Sequence, residues 1–201
     1  MLVIGLTGNI AAGKSAVAAR LAEFGAPIVD ADVLSREAVA QGTLALKAIA
    51  ARFGAQVLTP DGQLDRAALR AIVFTDPAAR EALNAIVHPE VARLRDAAVA
   101  RHRAEGAPLV VCDIPLLFET GLDAAMDLIV LVDAPVATRR ERLIRHRRLA
   151  PADADAMIAA QMPAEAKRAR AHFILENDGT PEQLQRQVDA LWTKLLRAAN
   201  A

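Results

Sequence analysis

Residues 8 to 15 read Gly8-Asn9-Ile10-Ala11-Ala12-Gly13-Lys14-Ser15 and satisfy G-x-x-x-x-G-K-[ST] at every fixed position. An apolar run, residues 1–6, precedes the octet, and an amphipathic stretch, residues 16–24, follows it. That is the strand–loop–helix order a phosphate-binding loop requires. Gly8 and Gly13 let the backbone turn back so that successive N–H groups, from Asn9, Ile10, Ala11 and Ala12 on to Ala16, converge on phosphate oxygens. The helix that follows adds the positive end of its dipole. Lys14 is placed to reach the β- and γ-phosphates, and Ser15 to offer a hydroxyl to Mg²⁺. A plain glycine turn between strand and helix is the alternative, and the flanking context disfavours it. The expected ligand is a nucleoside triphosphate.

A chain of 201 residues has room for one compact core with a small subdomain. Apolar residues make up 54%, but alanine supplies much of this, so the composition points to helix-rich packing. No stretch of about 18 apolar residues is present to span a membrane. The N-terminal apolar run lacks a basic flank and leads straight into the loop, unlike a signal segment. Cys112 is the only cysteine, which precludes an internal disulfide and suits a reducing, cytoplasmic setting. Lys plus Arg and Asp plus Glu each number 24, and this balance argues against a general nucleic-acid binder.

Four further apolar runs read as strands: residues 27–30, Leu109–Asp113, 128–132 and Phe173–Glu176. Most are continuously hydrophobic, as in parallel strands covered on both faces. Helical patterns separate them, which gives an α/β class with a five-stranded parallel sheet flanked by helices. The interval between Asp30 and Leu109 far exceeds one crossover connection. It reads as an inserted helical subdomain, with helices at 33–40 and Leu44–Phe53 and a turn at Thr59-Pro60-Asp61-Gly62. Asp65 is positioned to cap a helix through Val73, and Asp76-Pro77 and His88-Pro89 each read as a helix start. A second insertion, residues 136–171, is helical and basic. The last helix opens at Thr180-Pro181-Glu182-Gln183, a capping-box pattern. A phosphate-loop core with one insertion for an acceptor and one basic lid fits a small-molecule kinase, whose donor must be shielded from water.

Asp30-Ala31-Asp32 ends the second strand, where open α/β sheets bind ligands. Asp32 is the candidate to accept a proton from an attacking hydroxyl, with helix capping as the competing role for either aspartate. Asp113 ends the third strand like a Walker B aspartate and is the candidate for Mg²⁺ or its waters. Ile114-Pro115-Leu116-Leu117-Phe118-Glu119 follows at the edge of the site, as an acceptor wall or as packing. The basic insertion carries Arg139, Arg140, Arg142, Arg145, Arg147 and Arg148 with His146. Most of these suit a solvated face, with Glu141–Arg145 as an i,i+4 pair, and one or two should face the transferring phosphoryl group. Arg139, Arg142 and Arg145 share roughly one face. His88 reads equally well as ligand contact or surface, and Cys112 as a buried strand residue.

With these residues in place, the chain resembles the dephospho-CoA kinase family over nearly its whole length. The resemblance runs through Ile4-Gly5-Leu6-Thr7-Gly8, Asp30-Ala31-Asp32 with Arg36, Phe53-Gly54, Asp61-Gly62 with Leu64-Asp65-Arg66, and Ile86-Val87-His88-Pro89. It continues through Asp113 to Glu119, Val132-Asp133-Ala134-Pro135, Arg142, Gln161 and Asn177-Asp178-Gly179. It implies a P-loop kinase fold forming a single domain over 1–201. The core would be about 1–33, 106–135 and 172–201, with a helical CoA-binding insertion at about 34–105 and a lid at about 136–171. It implies transfer of the ATP γ-phosphoryl to the ribose 3′-hydroxyl of dephospho-CoA, with Mg²⁺, giving coenzyme A and ADP. Asp32 would be the base, Arg142 would serve the phosphoryl site together with Lys14, and Asn177 would sit near the adenine. Arg36, His88, Leu117 and Glu119 would join Asp32 in substrate binding, and Ser15 and Asp113 would serve the metal. The implied partners are the two small-molecule substrates, with no nucleic acid and no membrane, in a monomer or weak homo-oligomer.

Several positions depart from the family pattern. Arg139 stands where glutamine is usual, His146 where a second arginine is usual, and Ala171-His172-Phe173 where Ala-Asp-Phe is usual. Ala16 also follows Ser15 where the family has a second hydroxyl residue. Arg145 and Arg147 are the neighbours able to replace the arginine missing at 146. Another small-molecule kinase on the same scaffold, such as a nucleoside monophosphate kinase, remains an alternative. So does a GTP-dependent switch, although the chain has no Asn-Lys-x-Asp guanine motif.

Overall fold

The computed structural model describes residues 1–200. Its centre is a five-stranded parallel sheet in the order β2-β3-β1-β4-β5. The strands are β1 (Leu2–Gly8), β2 (Ile28–Asp30), β3 (Leu109–Asp113), β4 (Leu128–Asp133) and β5 (Phe173–Glu176). β1 lies between β3 and β4, with Ile4 opposite Val111 on one side and Gly8 opposite Val132 on the other. Both faces of the sheet are covered, so its strands can be apolar at successive positions. All five residues of β3 are buried.

By contact density the chain divides into two units, residues 1–29 with 101–201, and residues 30–100. In the first, α1 (Lys14–Glu23) and α9 (Pro181–Ala199) pack on the sheet. α9 does so because Leu184, Val188, Leu191 and Leu195 recur at helical spacing and form one buried stripe. Its start matches the sequence pattern. Thr180 Oγ1 accepts the Gln183 N–H, and Gln183 Oε1 accepts the Thr180 N–H at 2.7 Å, a full capping box. Phe24 stacks on Trp192 with ring centroids 5.7 Å apart, and Arg20 lies over Phe24 while bonding Asp189 at 2.9 Å. The basic insertion of this unit is α6 (Val136–Arg147), α7 (Pro151–Ala159) and α8 (Ala164–Arg168).

The second unit is helical: α2 (Ala31–Ala38), α3 (Leu44–Phe53), α4 (Arg66–Thr75) and most of α5 (Pro77–Ala104). Its own core gathers Ile49, Phe53, Val57 and Leu69 with Ile72, Leu83, Ile86, Val87, Val91 and Leu94. The turn before α4 forms as its residues dictate, with the Gly62 N–H donating to Thr59 O at 2.8 Å and Gly62 at φ +78°. Asp65 caps α4 through the Ala67 and Ala68 N–H groups. Asp76 accepts from Ala78 and Ala79 at the start of α5.

One sequence reading is corrected here, and one alternative left open by the sequence is resolved. His88-Pro89 does not start a helix, because α5 runs on with Pro89 inside it. Proline costs the helix one backbone hydrogen bond, but the apolar positions on both sides, Ile86, Val87, Val91 and Leu94, pack on one core and keep the helix continuous. At the end of β2, the capping aspartate is Asp30. Its Oδ1 accepts the Asp32 and Val33 N–H groups at 2.7 and 3.2 Å. Asp32 therefore lies in the first turn of α2, with its carboxylate outside the cap.

Candidate active site

The phosphate loop leaves β1 where Gly8 pairs with Val132, and a Cβ on Gly8 would fall 2.6 Å from Val132 O. Only glycine permits that approach. Gly13, at φ +101°, precedes the first residue of α1, and a Cβ there would run into the Asn177 amide. Lys14 and Ser15 open α1, so their N–H groups have no preceding helical turn to bond. Ala11 adopts a left-handed backbone with φ +59°, which costs a side-chain-bearing residue about 1–2 kcal/mol. Its neighbours offset that cost. Arg142 Nη1 donates to Ala11 O at 3.2 Å, and Asn177 Nδ2 donates to Ala12 O at 2.7 Å. Arg142 Nη2 also donates to Asn177 O at 3.0 Å. The Asn177 N–H is itself held by Asp133 O at 2.7 Å, on the end of β4. Loop carbonyls are thus held by a guanidinium and an amide.

Lys14 forms an ion pair with Asp113 at the end of β3; their side chains are 17% and 8% exposed. The pair joins the two signature residues that the sequence places about a hundred positions apart. Ser15, next along α1, is exposed. Thr7, fully buried, donates from Oγ1 to Pro115 O at 3.1 Å and ties the end of β1 to the segment after Asp113. In that segment Leu117 is fully buried and packs toward Gly5, so it offers no ligand surface; Leu116, 45% exposed, does. Glu119 turns to Lys167, with Oε1 2.7 Å from Nζ.

Of the arginines read as one face, only Arg142 reaches the loop. Arg139 is buried and donates from Nε to Ala134 O at 3.0 Å. Burial lowers its guanidinium pKa, opposed by the nearby Asp133 and Glu165 charges. Arg145 is 75% exposed and 4.0 Å from Glu141, the i,i+4 pair the sequence anticipates. Arg140 bonds Asp155 at 2.7 Å and joins α6 to α7. Arg168 bridges Asp133 and Glu176 at 2.8 and 2.6 Å, and both carboxylates raise its pKa. His172 Nδ1 accepts the Ile129 N–H at 3.0 Å.

The structure therefore gathers Gly8 through Ala16, Asp113, Arg142 and Asn177 in one cradle, while Glu119 pairs with Lys167 and accepts the Met162 N–H. Asp32, Arg36 and His88 belong to the second unit, and all three are exposed. Asp32 and Arg36 are four residues apart on α2 and share a face. Sequence reasoning assigned no role to Thr7, Lys167, Arg168 or the side chain of Gln161. A single buried lysine or a lone glutamine carries no spacing signal, since its partners are distant in sequence.

The family model for dephospho-CoA kinase matches residues 2–183. A dephospho-CoA kinase from Anaeromyxobacter dehalogenans is 54% identical over 195 residues, covering 97% of this chain and 92% of that protein. The crystal structure of TT1252 from Thermus thermophilus is 40% identical with a TM-score of 0.82, covering 96% of this chain and 97% of that one. The dephospho-CoA kinase of Campylobacter jejuni shares the fold, with a TM-score of 0.75 at 22% identity over 98% of both chains. With a five-stranded parallel sheet, a complete phosphate loop and this match over nearly the whole length, the chain belongs to the dephospho-CoA kinase family.

Proposed function

We propose the following division of labour for the reaction of this family, ATP-dependent phosphorylation of the ribose 3′-hydroxyl of dephospho-CoA to give coenzyme A and ADP. The observation that carries it is the Lys14–Asp113 pair set beside a phosphate loop whose carbonyls are held by Arg142 and Asn177. Backbone N–H groups of the loop take the phosphate oxygens, those of Gly13, Lys14 and Ser15 first, since the Ile10, Ala12 and Ala16 N–H groups donate within the protein, and Lys14 neutralises charge on the β- and γ-phosphates. Asp32 accepts the proton of the 3′-hydroxyl as the ribose oxygen–phosphorus bond forms and the bond to the ADP oxygen breaks. Arg142 answers the charge that spreads over the transferring group. Asn177 supports the adenine end, and Arg36, His88 and Glu119 serve the acceptor. Leu116 replaces the buried Leu117 as the apolar acceptor contact.

Mg²⁺ fits the donor set. The Asp113 carboxylate pairs with Lys14, the Ser15 hydroxyl stands one residue after Lys14 in the chain, and both are hard oxygen donors. When bound, the ion would supply charge neutralisation between the β- and γ-phosphates.

The chain acts on small molecules, as a monomer or weak homo-oligomer in a reducing cytoplasm, a setting supported by its one buried cysteine, Cys112. No helix among the described residues is long and apolar enough to cross a membrane. ADP release measured with dephospho-CoA, AMP, GMP and shikimate as acceptors tests the assignment. Turnover with dephospho-CoA alone is expected. Preference for AMP or GMP would move the chain to the nucleoside monophosphate kinases, and competition by GTP rather than ATP would favour the switch reading.

A further inference from the structure

The tip of the phosphate loop is also gripped by the segment after α7. The Ile10 N–H donates to Gln161 Oε1 at 2.7 Å, and Asn9 Nδ2 reaches Met162 O at 3.5 Å, the limit of a hydrogen bond. Gln161 therefore carries the grip. The segment is anchored behind: the Met162 N–H meets Glu119 Oε1 at 3.4 Å, and the same oxygen lies 2.7 Å from Lys167 Nζ. Lys167 is fully buried, and its contact with Glu119 is an ion pair rather than a well-directed hydrogen bond. A buried ammonium is tolerated only with such a counter-charge.

We propose that Gln161 is a positioning residue for phosphoryl transfer, holding the tip of the phosphate loop through the Ile10 N–H while the Glu119–Lys167 pair fixes the segment it stands on. Arg142 grips the carbonyls of Ala11 and Ala12, and Gln161 grips the N–H just before them. The strained turn at Ala11 is clamped at both polarities. A neutral amide suits this task. A carboxylate would accept the same N–H but would set a negative charge beside the phosphates. The inference rests on the reading of residues 8–15 as the ATP phosphate site.

The test is steady-state kinetics, ATP calorimetry and melting on full-length Gln161→Ala and Gln161→Glu, with Lys14→Ala alongside. Gln161→Ala is expected to lose about three- to tenfold in kcat, the usual worth of one hydrogen bond, with only a small fall in melting temperature. Gln161→Glu keeps the acceptor and the fold, and is expected to raise the ATP KM about tenfold or more, an effect that shrinks with added salt. If Gln161→Ala also melts early, Gln161→Glu still decides. An unchanged ATP KM in Gln161→Glu, or wild-type kcat in Gln161→Ala, overturns the proposal. If Lys14→Ala also leaves ATP binding untouched, the phosphate-site reading fails with it; if only the Gln161 variants are silent, that reading stands.

Discussion

The two units secure their candidate residues in opposite ways. In the first, nearly every one is tied to a distant partner: Lys14 to Asp113, Arg142 to Ala11 and Asn177, Asn177 to Ala12. In the second, Asp32, Arg36 and His88 project from exposed helix surfaces, placed by local backbone signals such as the Asp30 cap. A cradle of fixed dipoles needs no reorganisation when charge develops. Exposed side chains instead give up rotamer freedom when they engage a ligand. Changes in the cradle should therefore cost stability and turnover together, and changes at the exposed residues turnover alone.

Lys14→Ala should show the largest effect and break both properties. Turnover is expected to fall by at least about 10²–10³-fold, as for loss of one preorganised charge partner. Lys14 is also a counter-ion to a carboxylate only 8% exposed, so its removal should cost stability as well, about 3 kcal/mol at most. Chemical denaturation beside the ADP-release assay reads both, and an active, equally stable variant would remove Lys14 from the site. Asp32→Asn should separate them. With Asp30 as the cap, the change leaves α2 intact, so kcat should drop about 10²–10⁴-fold at constant melting temperature. Wild-type kcat in Asp32→Asn would leave that aspartate with neither the cap nor the proton. Repeating the assay at several Mg²⁺ concentrations separates proton transfer from metal binding, because only a lost metal contact is rescued by excess metal.

The same contrast governs what could be read before the fold was seen. The octet was legible because each fixed residue answers to one chemical demand within eight positions. The Asp65 cap and the Thr180–Gln183 box were legible because capping is settled within one turn. Pro89 misled because its local rule was outweighed by apolar burial on either side of it in α5. The arginines of α6 were legible as a face but not by depth. Helical spacing aligns Arg139 with Arg142, yet only packing decides that Arg139 is buried while Arg142 reaches the loop. The Gln161 contact, 151 residues from Ile10, had no local signal at all.

Arg142→Lys should fall between the first two variants and a simple cap deletion. The guanidinium spans Ala11 O and Asn177 O at once, a reach an ammonium cannot reproduce. A loss of about tenfold or more in kcat is expected, larger than the change in ATP KM, since the charge is used mainly in the transition state. Relaxation of the Ala11 turn should add a stability loss of about 1 kcal/mol. If Arg142→Lys keeps full kcat while Arg145→Lys does not, the phosphoryl arginine is one turn further along α6.

The smallest effects give the finest version of the comparison, because one substitution can be made in both units. Asp65→Ala removes the N-cap of α4, and Thr180→Ala removes the N-cap of α9. Each should cost about 0.5–2 kcal/mol, the common value of a lost cap. The kinetic outcomes should differ. Asp65 caps a helix of the second unit's own core and carries none of the candidate residues, so kcat should stay at the wild-type value. Thr180 stands three residues after Asn177, whose amide holds Ala12 O, and Gln183 fixes the Thr180 N–H from the next turn. Loosening that corner should let Asn177 drift from the loop and lower kcat a few-fold at matched stability, roughly the worth of one weakened hydrogen bond. Equal kcat in the two variants, measured well below both melting temperatures, would show that Asn177 is held by β4 alone, through its N–H on Asp133 O.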